Sequence, residues 1–159
     1  SIYDFLIKKI EKNKLFFDIQ NSIILHGGGW KKLEKLNIKN EKFKNELKKK
    51  FKTNKKINYY GLIEQAGSIF IECKCGYFIT SNYSDILVRN SDLKIVKDGD
   101  LGFLQLFSLL PSSYPGHIIL TEDLGKIIKD KNCKCFNGGK RFKVFGRVKD
   151  AEIRGCSDI

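Results

Sequence analysis

Apolar positions along the chain change their period once, near residue 57. Before that point they recur at helical spacing. Ile2, Phe5, Leu6 and Ile10, with lysines on the outer face, predict a helix over 2–12. Phe43, Leu47 and Phe51, four residues apart among Lys and Glu, predict a second from Asn40 to Phe51. Between them Ser22-Ile23-Ile24-Leu25-His26 runs into Gly27-Gly28-Gly29, which reads as a buried strand leading into a flexible loop. Beyond residue 57, short runs rich in Ile, Val, Phe and Tyr cover 57–60, 68–72, 77–80, 85–89, 102–108, 117–121 and 141–145, most of them separated by Gly, Asp, Ser or Asn. That texture belongs to strands. The expected fold class is α/β (α+β), with an α/β segment over 1–66 followed by a strand-rich segment over 67–159. No repeat or low-complexity linker divides them, so one folding unit is expected.

Composition narrows the function classes. At 159 residues the chain suits one domain with a sizeable core, and 42% hydrophobic content is too high for a disordered tail. No apolar run approaches the roughly 18–20 residues of a membrane span, and no signal-peptide pattern opens the chain, so a cytoplasmic protein is expected. The sequence contains no Met, which reads as a processed chain or a fragment of a longer one. The formal charge of +12 is uneven: 16 lysines against six acids put +10 on residues 1–56 and leave +2 on the remainder. A basic face is the footprint of a nucleic-acid binder. Here the excess is 26 Lys to 4 Arg, alongside 20 Ile and 11 Asn, a pattern that AT-rich coding produces unaided. Arg, the residue that reads phosphates and bases bidentately, is scarce.

Five cysteines carry candidate chemistry. Cys73 and Cys75, and Cys133 and Cys135, form two Cys-x-Cys pairs with 57 residues between them, both beside glycines. Four thiolates can close a tetrahedral zinc site that pins two remote turns together; the alternatives are four reduced thiols or, less suited to a chain without a secretion signal, disulfides. Cys156 stands three residues from the end, beside Gly155 and Arg154. A nearby cation lowers a thiol's pKa, which suits a nucleophile or acyl carrier, against the plainer reading of an incidental terminal Cys.

Four further segments stand out: His26-Gly27-Gly28-Gly29-Trp30-Lys31; Tyr60-Gly61-Leu62-Ile63-Glu64-Gln65-Ala66-Gly67; Ser112-Ser113-Tyr114-Pro115-Gly116-His117 leading into Leu120-Thr121-Glu122-Asp123-Leu124-Gly125; and the stretch from Gly146-Arg147 to Cys156-Ser157-Asp158. In order and spacing they resemble the acyl-protein synthetases, the LuxE-type long-chain-fatty-acid–protein ligases of the adenylate-forming superfamily, with phenylacetate–CoA ligases as close relatives. The resemblance covers the chain from about residue 20 and corresponds to the C-terminal half of such an enzyme, so the N-terminal half with its phosphate-binding loop counts as a missing partner.

The resemblance implies ATP-dependent activation of a fatty or other carboxylic acid as acyl-adenylate, followed by transfer to a thiol and delivery to an acyl reductase. ATP and Mg²⁺ are the implied cofactors. Tyr60-Gly61-x-x-Glu64 looks like the superfamily's Tyr-Gly-x-Thr-Glu motif, which places Glu64 at the magnesium and Tyr60 with Gly61 near the adenine; Ile63 stands where that motif has Thr. Gly27, Gly28 and Gly29 resemble the glycine turn against which adenine lies. Asp123 resembles the ribose-binding carboxylate, and Arg147 the arginine that contacts ribose or α-phosphate. Cys156 matches the acyl-accepting cysteine. Some of the phenylacetate–CoA ligase relatives hold a structural zinc between equivalent loops, which bears on Cys73, Cys75, Cys133 and Cys135. Beside this ligase reading stand a basic, zinc-containing module binding nucleic acid through 1–56, and a homologue that keeps the fold without turnover.

Overall fold

The computed structural model of the chain describes residues 8, 9, 11–13, 19, 21–27, 40–53, 55–112, 115–135 and 138–148, without the side chains of 40–44 and 46. Its elements are β1 (Ile24–Gly27), α1 (Asn40–Phe51), β2 (Lys56–Tyr60), a 3-10 turn (Ile63–Gln65), β3 (Phe70–Glu72), β4 (Phe78–Ile79), β5 (Ser84–Arg89), β6 (Gly102–Ser108), β7 (Ile118–Ile128) and β8 (Arg141–Arg147). The result is a mixed α+β, strand-rich fold. The chain divides into two compact units, Ser1–Ile57 and Asn58–Ile159. Among the described residues no helix is long and apolar enough to cross a membrane.

In the first unit α1 falls on the span that its four-residue apolar spacing predicts. Leu47 and Phe51 are buried and pack with Ile19 and Ile24. Lys48, Lys49 and Lys50 occupy the last turn, where cations complement the helix dipole. The helix ends at Lys52, whose positive φ of 54° is a left-handed stop taken without glycine. Buried Thr53 then donates from Oγ1 to the Ser22 carbonyl at 2.8 Å, and Ile24 N–H donates to the Lys55 carbonyl at 2.9 Å. β1 alternates half-buried and exposed positions, so it is amphipathic rather than fully buried. Of the helix expected over 2–12, Lys8, Lys9, Glu11 and Lys12 have helical backbone and the rest lies outside the described residues.

From β2 onward the strand order is β2-β3-β4-β8-β7-β6-β5, and every pairing in that series is antiparallel. Alternation places Leu104 and Leu106 of β6 inward beside Ile86 and Val88 of β5, Ile127 of β7, Phe142 of β8 and Phe70 of β3. Each such side chain contributes about 1.5–3 kcal/mol by leaving water.

β7 runs well past the expected 117–121, to Ile128. The segment Glu122-Asp123-Leu124-Gly125 has turn composition, yet each obstacle is met locally. Asp123 is buried with partners, and the ladder to β8 shifts register between Leu124 and Gly125. At Gly125 a Cβ would stand 2.4 Å from Leu104 Cδ2 and 2.6 Å from the Lys143 carbonyl oxygen, so only glycine fits the passage.

Candidate functional site

Asp123 lies in mid-β7 and pairs in register with Arg147 at the end of β8. It is 9% exposed. Its N–H donates to Thr121 Oγ1 at 3.1 Å, and that hydroxyl donates to the Leu104 carbonyl at 2.9 Å, which fixes the backbone around the carboxylate. Arg147 Nε lies 3.5 Å from Asp123 Oδ1, while Arg147 Nη1 lies 3.9 Å from Glu122 Oε2. Tyr60, at the end of β2, donates from its hydroxyl to Asp123 Oδ2 at 2.7 Å.

This last contact reveals the shape of the sheet. Three strands separate β2 from β7, and on a flat sheet four steps of about 4.8 Å would hold them roughly 19 Å apart. A tyrosine side chain cannot span that distance, so the sheet curls and Tyr60 crosses its concave face. Its ring packs against Phe70, Phe78 and Phe142 at centroid separations of 6.1, 5.9 and 6.1 Å. Burial first, then the adjacent Asp123 carboxylate, pushes the Tyr60 phenol far above its ordinary range, so at neutral pH it is a fixed donor. A carboxylate offers about four acceptor directions. With Tyr60 on one oxygen and Arg147 near the other, Asp123 keeps acceptor capacity for a ligand hydroxyl pair while its orientation is set.

The other expected positions are distributed as follows. Glu64 sits exposed on the Ile63–Gln65 turn, beside Ile63, which is 80% exposed. Gly61 has a packing reason of its own: a Cβ there would stand 3.0 Å from the Ser68 carbonyl oxygen. Gly27 ends β1 in the first unit and is exposed. Gly28, Gly29 and Cys156 lie outside the described residues. The sequence reading missed Gln65, which is 1% exposed and whose Nε2 donates to the Gly116 carbonyl at 2.9 Å. It anchors the Glu64 turn to the 115–117 loop. Its position beside a surface glutamate gave no periodic signal for burial.

The two Cys-x-Cys pairs meet. Cys73 Sγ lies 3.8 Å from Cys133 Sγ, Cys75 Sγ lies 3.6 Å from Cys135 Sγ, and all four sulfurs fall within 4.8 Å of one another. Ligands at about 2.3 Å around a tetrahedral zinc stand roughly 3.8 Å apart, so the donor set and spacing fit that ion. The local fold prepares both turns. Gly76, at φ 77°, lets its N–H donate to the Cys73 carbonyl at 2.9 Å. On the other side Asp130 Oδ1 accepts from Asn132 N–H at 2.9 Å, and Arg141 Nη2 donates to the Cys133 carbonyl at 2.8 Å. The Cys133 thiol is lowered to about 7, chiefly by the Cys135 backbone N–H. Neighbouring thiols Cys133 and Cys135 push Cys75 up to about 12. Four adjacent thiolates need a cation to ionise together.

The chain matches, over residues 2–159, the family model described as "Acyl-protein synthetase, LuxE". Among curated proteins no match was found. Of solved structures, apo MatB from Rhodopseudomonas palustris superposes with a TM-score of 0.52 at 17% identity, covering 80% of this chain and 26% of its own. McyG A-PCP complexed with phenylalanyl-adenylate superposes with a TM-score of 0.54 at 14% identity, covering 91% and 28%. The chain thus spans about a quarter of the length of these structures.

Proposed function

The chain belongs to the acyl-protein synthetase (LuxE) family, and from that premise we propose that it supplies the ribose- and tail-side half of an enzyme that joins a long-chain carboxylic acid to ATP. A carboxylate oxygen of the acid attacks the α-phosphorus, the bond to the β-phosphate oxygen breaks, and pyrophosphate leaves. The Cys156 thiolate then attacks the acyl carbonyl, AMP leaves, and a thioester remains for an acyl reductase to consume. Mg²⁺, when bound, neutralises charge on the phosphates. Glu64, exposed on its turn, is the carboxylate proposed to hold it. Asp123 accepts the ribose hydroxyls and Arg147 faces the ribose or α-phosphate; Gly27, Gly28 and Gly29 are assigned to the adenine by their resemblance to the family's glycine turn alone. The four clustered cysteines are read as a separate structural centre, for which zinc is the ion their donor set fits.

The observation that carries the reading is the buried, oriented Asp123 carboxylate held between Tyr60 and Arg147. Acid-dependent ATP–pyrophosphate exchange in the complete enzyme tests it. Asp123→Ala and Glu64→Gln should each lower kcat/KM by about 10²-fold or more, the range that one electrostatic contact in a transition state commands. Exchange that survives Asp123→Ala unchanged would sink the reading. The 159-residue chain by itself is expected to show no exchange. Incubation of the complete enzyme with ATP and a fatty acid should add one acyl mass at Cys156, released by hydroxylamine and absent in Cys156→Ser.

A further inference from the structure

We propose that Cys73, Cys75, Cys133 and Cys135 hold one zinc ion as a clasp across the seam between the short and long strands of the sheet, and that this clasp keeps Tyr60 in reach of Asp123. The proposal rests on the reading of the four cysteines as a metal centre and adds what that centre does for the site.

The sheet is unequal in its pairing. β5 joins β6 through six register pairs, and β7 joins β8 through six. β2, β3 and β4 are linked by two pairs at each step, and β4 meets β8 through only Phe78↔Phe142 and Ile79↔Arg141. Just past these, Thr80 N–H donates to the Lys140 carbonyl at 3.0 Å and Lys140 N–H donates to Thr80 Oγ1 at 2.9 Å. Tyr60 stands on the short-strand side of this seam and Asp123 on the long-strand side. Their contact exists only while the seam is closed and curled.

The cysteines straddle the same seam. Cys73 and Cys75 occupy the β3–β4 turn, and Cys133 and Cys135 the β7–β8 loop. One polar contact, Tyr77 Oη to Asp130 Oδ2 at 3.0 Å, crosses beside them, while Arg141 Nη2 donates to the Cys133 carbonyl within the β7–β8 side. A single such hydrogen bond lacks the strength of metal–thiolate bonds. A metal here closes a 57-residue excursion, from Cys75 to Cys133, at a step where the ladder has only two register pairs.

The test uses the 159-residue chain under reducing conditions. Zinc should be present at about one ion per chain, and cobalt in its place should show the thiolate charge-transfer spectrum of a tetrahedral four-sulfur site. A chain that neither retains nor takes up either ion overturns the metal reading and the clasp with it. With metal uptake established, a double-mutant cycle isolates the coupling. The loss of folding equilibrium constant on Tyr60→Phe should be about tenfold or more in the loaded protein and near unity after chelation. Amide exchange at 78–80 and 140–142 should then accelerate about tenfold more than in β5 and β6. An equal Tyr60→Phe loss in both states, or a uniform acceleration across the sheet, overturns the clasp while leaving the metal site standing. Where chelation unfolds the unit outright, Cys75→Ser, which removes one exposed ligand and leaves three thiolates, provides the weakened state for the same comparison.

Discussion

Tyr60 and Asp123 mark the difference between naming a residue and knowing what it does. Both were legible in the sequence as members of motifs, each assigned its own part of a nucleotide. Their hydrogen bond was not, because it depends on how far the sheet curls, a property of all the intervening strands. Tyr60→Phe removes only the hydroxyl and leaves Asp123 Oδ2 without its donor at a site 9% exposed. A lost hydrogen bond to a buried charged acceptor is worth about 1.5–3 kcal/mol, so thermal unfolding should shift down accordingly. The sign with pH follows from the raised phenol. Between its unfolded value near 10 and its higher folded value, the native state holds a proton that the unfolded chain has released. Stability from this group is therefore complete below about pH 10 and declines as pH rises through that window. The gap in Tm between wild type and Tyr60→Phe should narrow from pH 9 upward; a gap that widens contradicts the assignment.

At the scale of elements, α1 and the centres of most strands could be read from period alone, because alternation and four-residue spacing are enforced by one buried face. β7 could not be read in full. Its second half carries two acids and a glycine, the composition of a turn, and stays extended because neighbouring strands satisfy each of them. Gly125 is the clearest case, since Leu104 Cδ2 and the Lys143 carbonyl oxygen already occupy the space a side chain needs. Gly125→Ala should destabilise the second unit by about 1–3 kcal/mol through overpacking. In a unit of this size that lowers Tm by several degrees per kcal/mol. Equilibrium denaturation with an unchanged m-value would show that the native packing, and not the unfolded ensemble, carries the cost. A neutral Gly125→Ala would mean that β7 has room to bend away from β6 and β8.

For the whole molecule, the charge and most of the proposed chemistry occupy different parts of the chain. The +10 on residues 1–56 coincides with the first unit, where Lys48, Lys49 and Lys50 cap the end of α1 and Lys50 pairs with Glu11. The second unit, with Tyr60, Asp123, Arg147 and the four cysteines, is close to neutral, and Glu122 and Asp123 lie beside Arg147. Lysine-rich helix ends of this kind attract polyanions without reading them. Binding to duplex DNA should therefore be weaker than about 1 μM at physiological salt and indifferent to sequence. Replacing Lys48, Lys49 and Lys50 with Gln should reduce the slope of log K against log salt by at most about 2.7, the share of three phosphate contacts. The same triple change should leave Mg·ATP affinity of the complete enzyme within twofold, because none of the three lysines belongs to the proposed nucleotide site. Fluorescence anisotropy across a salt series measures the first, and calorimetric titration the second. Tight, sequence-dependent DNA binding abolished by the triple change would reverse the ranking and make the basic unit the seat of function.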